Sequence, residues 1–140
     1  MKVVREFRGE YRFLSNFYLV DIEYAKQHYP SVENAYQAAK TKDKKLRVKF
    51  ETIPPSDAKR LGRKIPLRDD WEDIKRAIMH TLVRSKFEND FALRAQLLAT
   101  GDARLEEGNW WGDRYWGMVD GEGENHLGKI LMRVRRELMI

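Results

Sequence analysis

The 140-residue chain contains no cysteine, four prolines and three histidines. The absence of cysteine excludes a disulfide framework, a redox dithiol, a thiol nucleophile and any thiolate metal site. His28, His80 and His126 lie far apart without ligand spacing, so no dedicated metal site is expected. No apolar run approaches the length of a membrane span, and no apolar signal core follows Met1. Internal repeats, low-complexity tracts and linkers are also lacking. These absences predict a cytoplasmic protein with no membrane partner. It is expected to fold as one domain, residues 1–140, long enough to bury a core.

What the chain does have is charge. Lys and Arg number 27 against 22 Asp and Glu, a net charge of +5. Such a balance favours anionic partners, from nucleotides and sugar phosphates to nucleic acid, without choosing among them. Many of these cations alternate with acids, as they do on solvated helix faces.

The residue pattern predicts a mainly α fold with a small N-terminal β element. Residues 3–29 are dense in aromatic and β-branched side chains without helical period, which suggests short strands or extended segments. Ser31 is a good N-cap for a first helix through Lys40, and residues 42–49 suit a second, amphipathic helix. After Pro54-Pro55, Ser56 can cap a short helix ended by Gly62. Asp69 or Asp70 then caps a long helix whose Trp71, Ile74, Ile78 and Leu82 are spaced as a buried stripe. Asn89 can restart a helix closed by Gly101, and residues 101–123 read as irregular. The last helix starts near Asn125, with Leu127, Ile130, Leu131, Val134 and Leu138 on its core face.

Within the first helix, a rotation of about 100° per residue places Glu33, Tyr36, Gln37 and Lys40 on one face. A carboxylate can act as acid, base or stabiliser of positive charge, and a lysine that loses its proton becomes a nucleophile toward a carbonyl. The same four residues also suit a solvated face with an ordinary ion-paired rim. A second candidate is the loop Asn109 to Gly117, where Trp110, Trp111 and Trp116 could stack a base and Asp113 offers a carboxylate. Its bland counterpart is a loop folded on the core, with Asp113 capping a turn. Phe13-Leu-Ser-Asn16-Phe17 holds polar groups between aromatics, and Arg8, Lys59, Arg60 and Arg63 are candidate phosphate ligands. Trp71 belongs to the core stripe or edges a pocket.

These segments, in this order, resemble the NADAR domain family, also called YbiA-like. The resemblance rests on Phe13 to Phe17, Tyr29 to Glu33, Tyr36 to Lys40, Ala58 to Arg63 and Arg68 to Trp71. It continues through Lys86-Phe87, Leu97 to Thr100, Asp113 to Gly117 and Asn125 to Lys129, so it spans nearly the whole chain. It implies a single compact YbiA-like domain and an N-glycosidase, a hydrolase of ribosyl–nitrogen bonds. Family substrates include phosphorylated riboflavin-pathway intermediates and, in some branches, ADP-ribosylated guanine bases.

By match, Glu33, Trp71, Asp113 and Trp116 are the implied functional residues, and Lys40 matches a lysine suited to capture opened ribose as an imine. The expected mechanism gives Glu33 the electrostatic or acid–base role and lets Asp113 position water or a ribose hydroxyl. Lys40 is nucleophile or cation. Tyr36 and Trp116 bracket base or sugar, with Arg8, Asn16, Phe17 and Trp71 in the substrate-binding set. The expected partner is a phosphorylated ribosyl or ADP-ribosyl compound, with ADP-ribosylated nucleic acid as a further carrier, and neither metal nor organic cofactor is required. Two departures stand out: Asn34 occupies a position where many relatives carry His, and the Trp110-Trp111 loop replaces a commoner polar version. The alternative is a non-enzymatic module that binds ADP-ribose or nucleic acid.

Overall fold

Ten short or medium elements and one 3-10 helix make up the chain in a computed structural model that describes residues 2–139. These residues gather into two units, 16–86 and 2–15 with 87–139.

In the unit of residues 16–86, β2 (Ile22–Tyr24) and β3 (Gln27–Tyr29) form an antiparallel hairpin with Ile22 opposite Tyr29. Its two connecting residues, Ala25 and Lys26, both have positive φ, as a two-residue turn matched to strand twist requires. Ile22 and Tyr29 are buried while Glu23 and His28 point outward, the period-2 alternation of a one-sided sheet. The hairpin leads into α1 (Val32–Ala38), whose Ser31 N-cap accepts a hydrogen bond from the Asn34 N–H at 3.1 Å. Every residue of α1 is buried, since β2, β3, α2 (Lys44–Val48) and α3 (Pro55–Gly62) all pack around it.

Asp43 caps α2 through the Lys45 N–H at 2.9 Å. Helix α3 begins two residues earlier than a Ser56 cap would allow. Pro55 takes the first helical position, where a missing N–H costs nothing, and Ser56 lies inside the helix. The long helix α4 (Trp71–Asn89) then carries the chain out of this unit.

The other unit opens with β1 (Val3–Val4), which pairs in parallel with β4 (Arg104–Leu105). The β contribution is therefore not confined to the N-terminal region. Residues Gly9–Leu14 form a 3-10 helix rather than a strand, with Gly9 at φ +57° making its entry. Helix α5 (Phe91–Ala99) is capped by Asp90, whose carboxylate accepts from the Leu93 N–H at 3.0 Å. The cap falls at Asp90 rather than Asn89 because α4 continues through Asn89.

Helix α6 (His126–Glu137) presents Leu127, Ile130, Leu131 and Val134 to the core, followed by Leu138 just past its end, as its period predicts. Asn125, left-handed at φ +52°, anchors its start: the side-chain amide donates to the Leu105 carbonyl and its oxygen accepts from the Glu107 N–H, both at 3.0 Å. The mainly α class with few short strands is borne out.

The stripe expected on α4 shifts. Trp71 and Leu82 are buried, but Ile74 and Ile78 are only half-buried, and Met79, Val83, Lys86 and Phe87 complete the inner line. Lysines hide this line in the sequence, because Lys75 and Lys86 occupy positions on it that an apolar pattern would skip.

Candidate active site

The face of α1 singled out in the sequence is not a solvated one. Glu33 is 9% exposed and Gln37, one turn on, 5%. The Gln37 side-chain amide donates to Glu33 Oε2 at 2.6 Å, and the Glu33 N–H donates to the Asn16 carbonyl at 3.0 Å. A carboxylate this withdrawn from water needs such donors, because burying an unpaired charge costs several kcal/mol. Next to it, Asn34 is fully committed to the fold. Its amide donates to the carbonyls of Phe50 and Ile53 at 2.9 and 2.8 Å, and its oxygen accepts from the Ser31 hydroxyl at 2.5 Å.

Lys40 lies two residues beyond the end of α1, in a tight turn closed by its own N–H on the Gln37 carbonyl. Its ammonium stands 5.8 Å from the centre of the Tyr36 ring. Burial holds its pKa below the ordinary lysine value, and the nearby Arg63 and Lys75 push the same way; Glu33 opposes them. Tyr36 in turn packs on Trp71 with ring centres 5.1 Å apart. Acid, amine and an aromatic wall are thus assembled from α1, its C-terminal turn and the start of α4.

The segment before Trp71 is tied to the same turn. The Arg68 N–H donates to the Lys40 carbonyl at 2.8 Å, and the Arg68 guanidinium clamps Asp70 at 2.7 Å. Between these strands of chain lies a groove of about 430 Å³, lined by Thr41, Asp43, Leu67, Arg68 and Asp70 among others.

Asn16 lies in this unit: its carbonyl accepts the Glu33 N–H, and its amide reaches Met79 Sδ at 3.5 Å. Phe17 beside it is half-buried. Arg8, Asp113 and Trp116 belong to the other unit. Arg8 stands exposed at the entry to the 3-10 helix, 3.9 Å from Glu6. Asp113 caps a turn, accepting from the N–H groups of Tyr115 and Trp116 at 3.0 and 2.9 Å. Trp116 meets Tyr115 edge-on at 4.9 Å between centres. Trp110 and Trp111, by contrast, are 76% and 47% exposed, on a turn whose ends are stapled by Asn109 to the backbone of Asp113.

A family model described as the NADAR domain matches residues 4–139. The chain belongs to the NADAR domain family. Its relatives include a riboflavin biosynthesis protein of Vibrio vulnificus (strain YJ016), 43% identical over 130 residues, covering 90% of this chain but only 35% of that protein. The N-glycosidase YbiA of Escherichia coli (strain K12) is 39% identical over 135 residues, covering 94% of this chain and 84% of that one. The NMR structure of the E. coli protein YbiA superposes with a TM-score of 0.85 at 37% identity, over 99% of this chain and 86% of that chain. The expected enzyme class, a hydrolase acting on N-glycosyl bonds, agrees with the names these relatives carry.

Two residues of this NADAR domain escaped the sequence reading. Gln37 was visible on the Glu33 face, but its bond to the carboxylate depends on a rotamer that spacing does not reveal. Lys86 is 2% exposed on the inner line of α4, with its ammonium 5.5 Å from the centre of the Tyr18 ring, and burial pulls its pKa down to about 7. The usable signal was its place four residues after Leu82 on an amphipathic helix.

Proposed function

We propose that this NADAR domain hydrolyses the N-glycosidic bond of a phosphorylated ribosylamine or ADP-ribosyl compound, with Glu33 as the residue on which catalysis depends. The observation that carries this reading is a carboxylate 9% exposed and held by an amide donor, beside a lysine with a depressed pKa and an aromatic pair. It is supported by relatives named as N-glycosidases and as riboflavin biosynthesis proteins.

In the reaction, the bond from the anomeric carbon to the base nitrogen breaks while positive charge develops at that carbon. A bond to water oxygen forms, and the water proton ends on the departing base. A fixed carboxylate stabilises the cationic transition state and can take the water proton, and groups in these roles contribute about 10²- to 10⁴-fold. Lys40 serves either as the amine that captures C1 of the opened ribose or as a cation for substrate phosphate. In the first case an imine forms as the base leaves with a proton, and water then hydrolyses it to free sugar and lysine. Tyr36 and Trp71 supply apolar surface for base or sugar. Asp113 and Trp116 keep the roles implied by their match to the family pattern, and Arg8 keeps the role of a cation for polar groups of the ligand.

Mass spectrometry of purified protein incubated with riboflavin-pathway ribosylamines and, separately, ADP-ribosylated nucleosides tests this reading. Release of free base with the matching sugar phosphate from at least one class is expected. Intact substrate in both series would contradict it.

A further inference from the structure

Gln37 contributes more than a donor. Its Nε2 is spent on Glu33, while its Oε1 is buried and has no hydrogen-bond partner among the described residues. That oxygen faces Gly62, the last residue of α3: a Cβ built there would come within 1.9 Å of Oε1 and 2.6 Å of the amide carbon. The amide therefore lies in a slot that exists only because residue 62 has no side chain. Gly62 has no positive φ to require glycine, so close approach is the reason for it. Oε1 meets the Cα–H side of the glycine, a weak contact at most. The slot confines the amide by packing, and of its two ends the N–H donor is the one that faces the carboxylate acceptor.

We infer that Gln37 is the positioning residue for Glu33, and that Gly62 on α3 is the gap that lets it act. The inference rests on the proposed role of Glu33. Gln37 itself touches no reacting atom; it holds one carboxylate oxygen of Glu33. A donor to a charged acceptor contributes more than a neutral hydrogen bond, so its loss weakens the hold on that oxygen.

Steady-state kinetics on whichever N-ribosyl substrate the wild type turns over, with melting temperatures alongside, test this. Gln37→Leu and the near-isosteric Gln37→Met, neither of which offers a donor, are expected to lower kcat about 10- to 100-fold with KM within about twofold of wild type. Gly62→Ala is expected to lower kcat similarly in the wild-type background and to cost nothing further in a Gln37→Ala background, because its effect passes through the amide. Wild-type kcat in folded Gln37→Leu or Gln37→Met would overturn the inference, as would an equal loss from Gly62→Ala in both backgrounds. Should Glu33→Gln itself keep full activity, the catalytic reading of Glu33 falls, a result separate from either of these.

Discussion

Glu33 and Asn34 are neighbours on α1 with different employment. Asn34 spends both ends of its side chain on Ser31, Phe50 and Ile53. Replacing it by Ala strands the buried Phe50 carbonyl and the part-buried Ile53 carbonyl, and unfolding in urea is expected to show a loss of about 2–3 kcal/mol. Lys40 makes a sharper chemical prediction. Because its pKa is depressed, it holds more neutral amine near pH 7 than a surface lysine does. If the imine route operates, borohydride added during turnover leaves a ribosyl adduct mapped to Lys40, absent in Lys40→Arg. An adduct on Lys86 instead, or none in active enzyme, contradicts that route.

Lys86 has a separate signature in stability. Its folded pKa of about 7 lies below the model lysine value of 10.5. Between those values the unfolded chain binds more protons, so stability is expected to rise with pH over about pH 7–9. Lys86→Met should flatten that slope in denaturant titrations, and an unchanged slope would discount the shift.

At the scale of elements, capping chemistry decided the outcome more often than apolar spacing did. Ser31 and the Leu127 to Leu138 face of α6 were legible because each is a local pattern with a single helical solution. The start of α3 was misplaced because Pro55 and Ser56 both signal a helix start and only one can hold the first position. Accordingly, Ser56→Ala should change stability by less than about 0.5 kcal/mol, whereas Asp90→Ala, which removes a formed cap, should cost about 1 kcal/mol in the same urea assay. The α4 stripe was drawn one position off because lysines on its buried line read as surface. The face of α1 was harder still. Spacing put Glu33, Tyr36 and Gln37 together, but the hairpin, α2 and α3 that bury them come from sequence-distant segments, which no helical period reports.

For the molecule as a whole, the placement of charge matters more than its total. The positive surplus lies within residues 16–86, and the remaining residues are close to neutral. Glu33 and Lys40 belong to the basic unit, whereas the exposed Trp110 and Trp111 belong to the other. The alternative of a base-stacking binding module predicts steeply salt-dependent binding of ordinary single strands without ribosyl–nitrogen cleavage. A phosphorylated substrate drawn to the basic unit should instead show KM rising as salt increases from about 50 to 500 mM, with kcat nearly constant. Salt-independent KM would argue against an anionic substrate.

The central claim concerns one carboxylate, and the direct measurement is turnover by Glu33→Gln on the substrate that the wild type cleaves. The amide keeps the size of the side chain, so the melting temperature should stay within a few degrees. Cleavage is expected to fall by about 10²- to 10⁴-fold. Wild-type turnover in a folded Glu33→Gln protein would contradict the account.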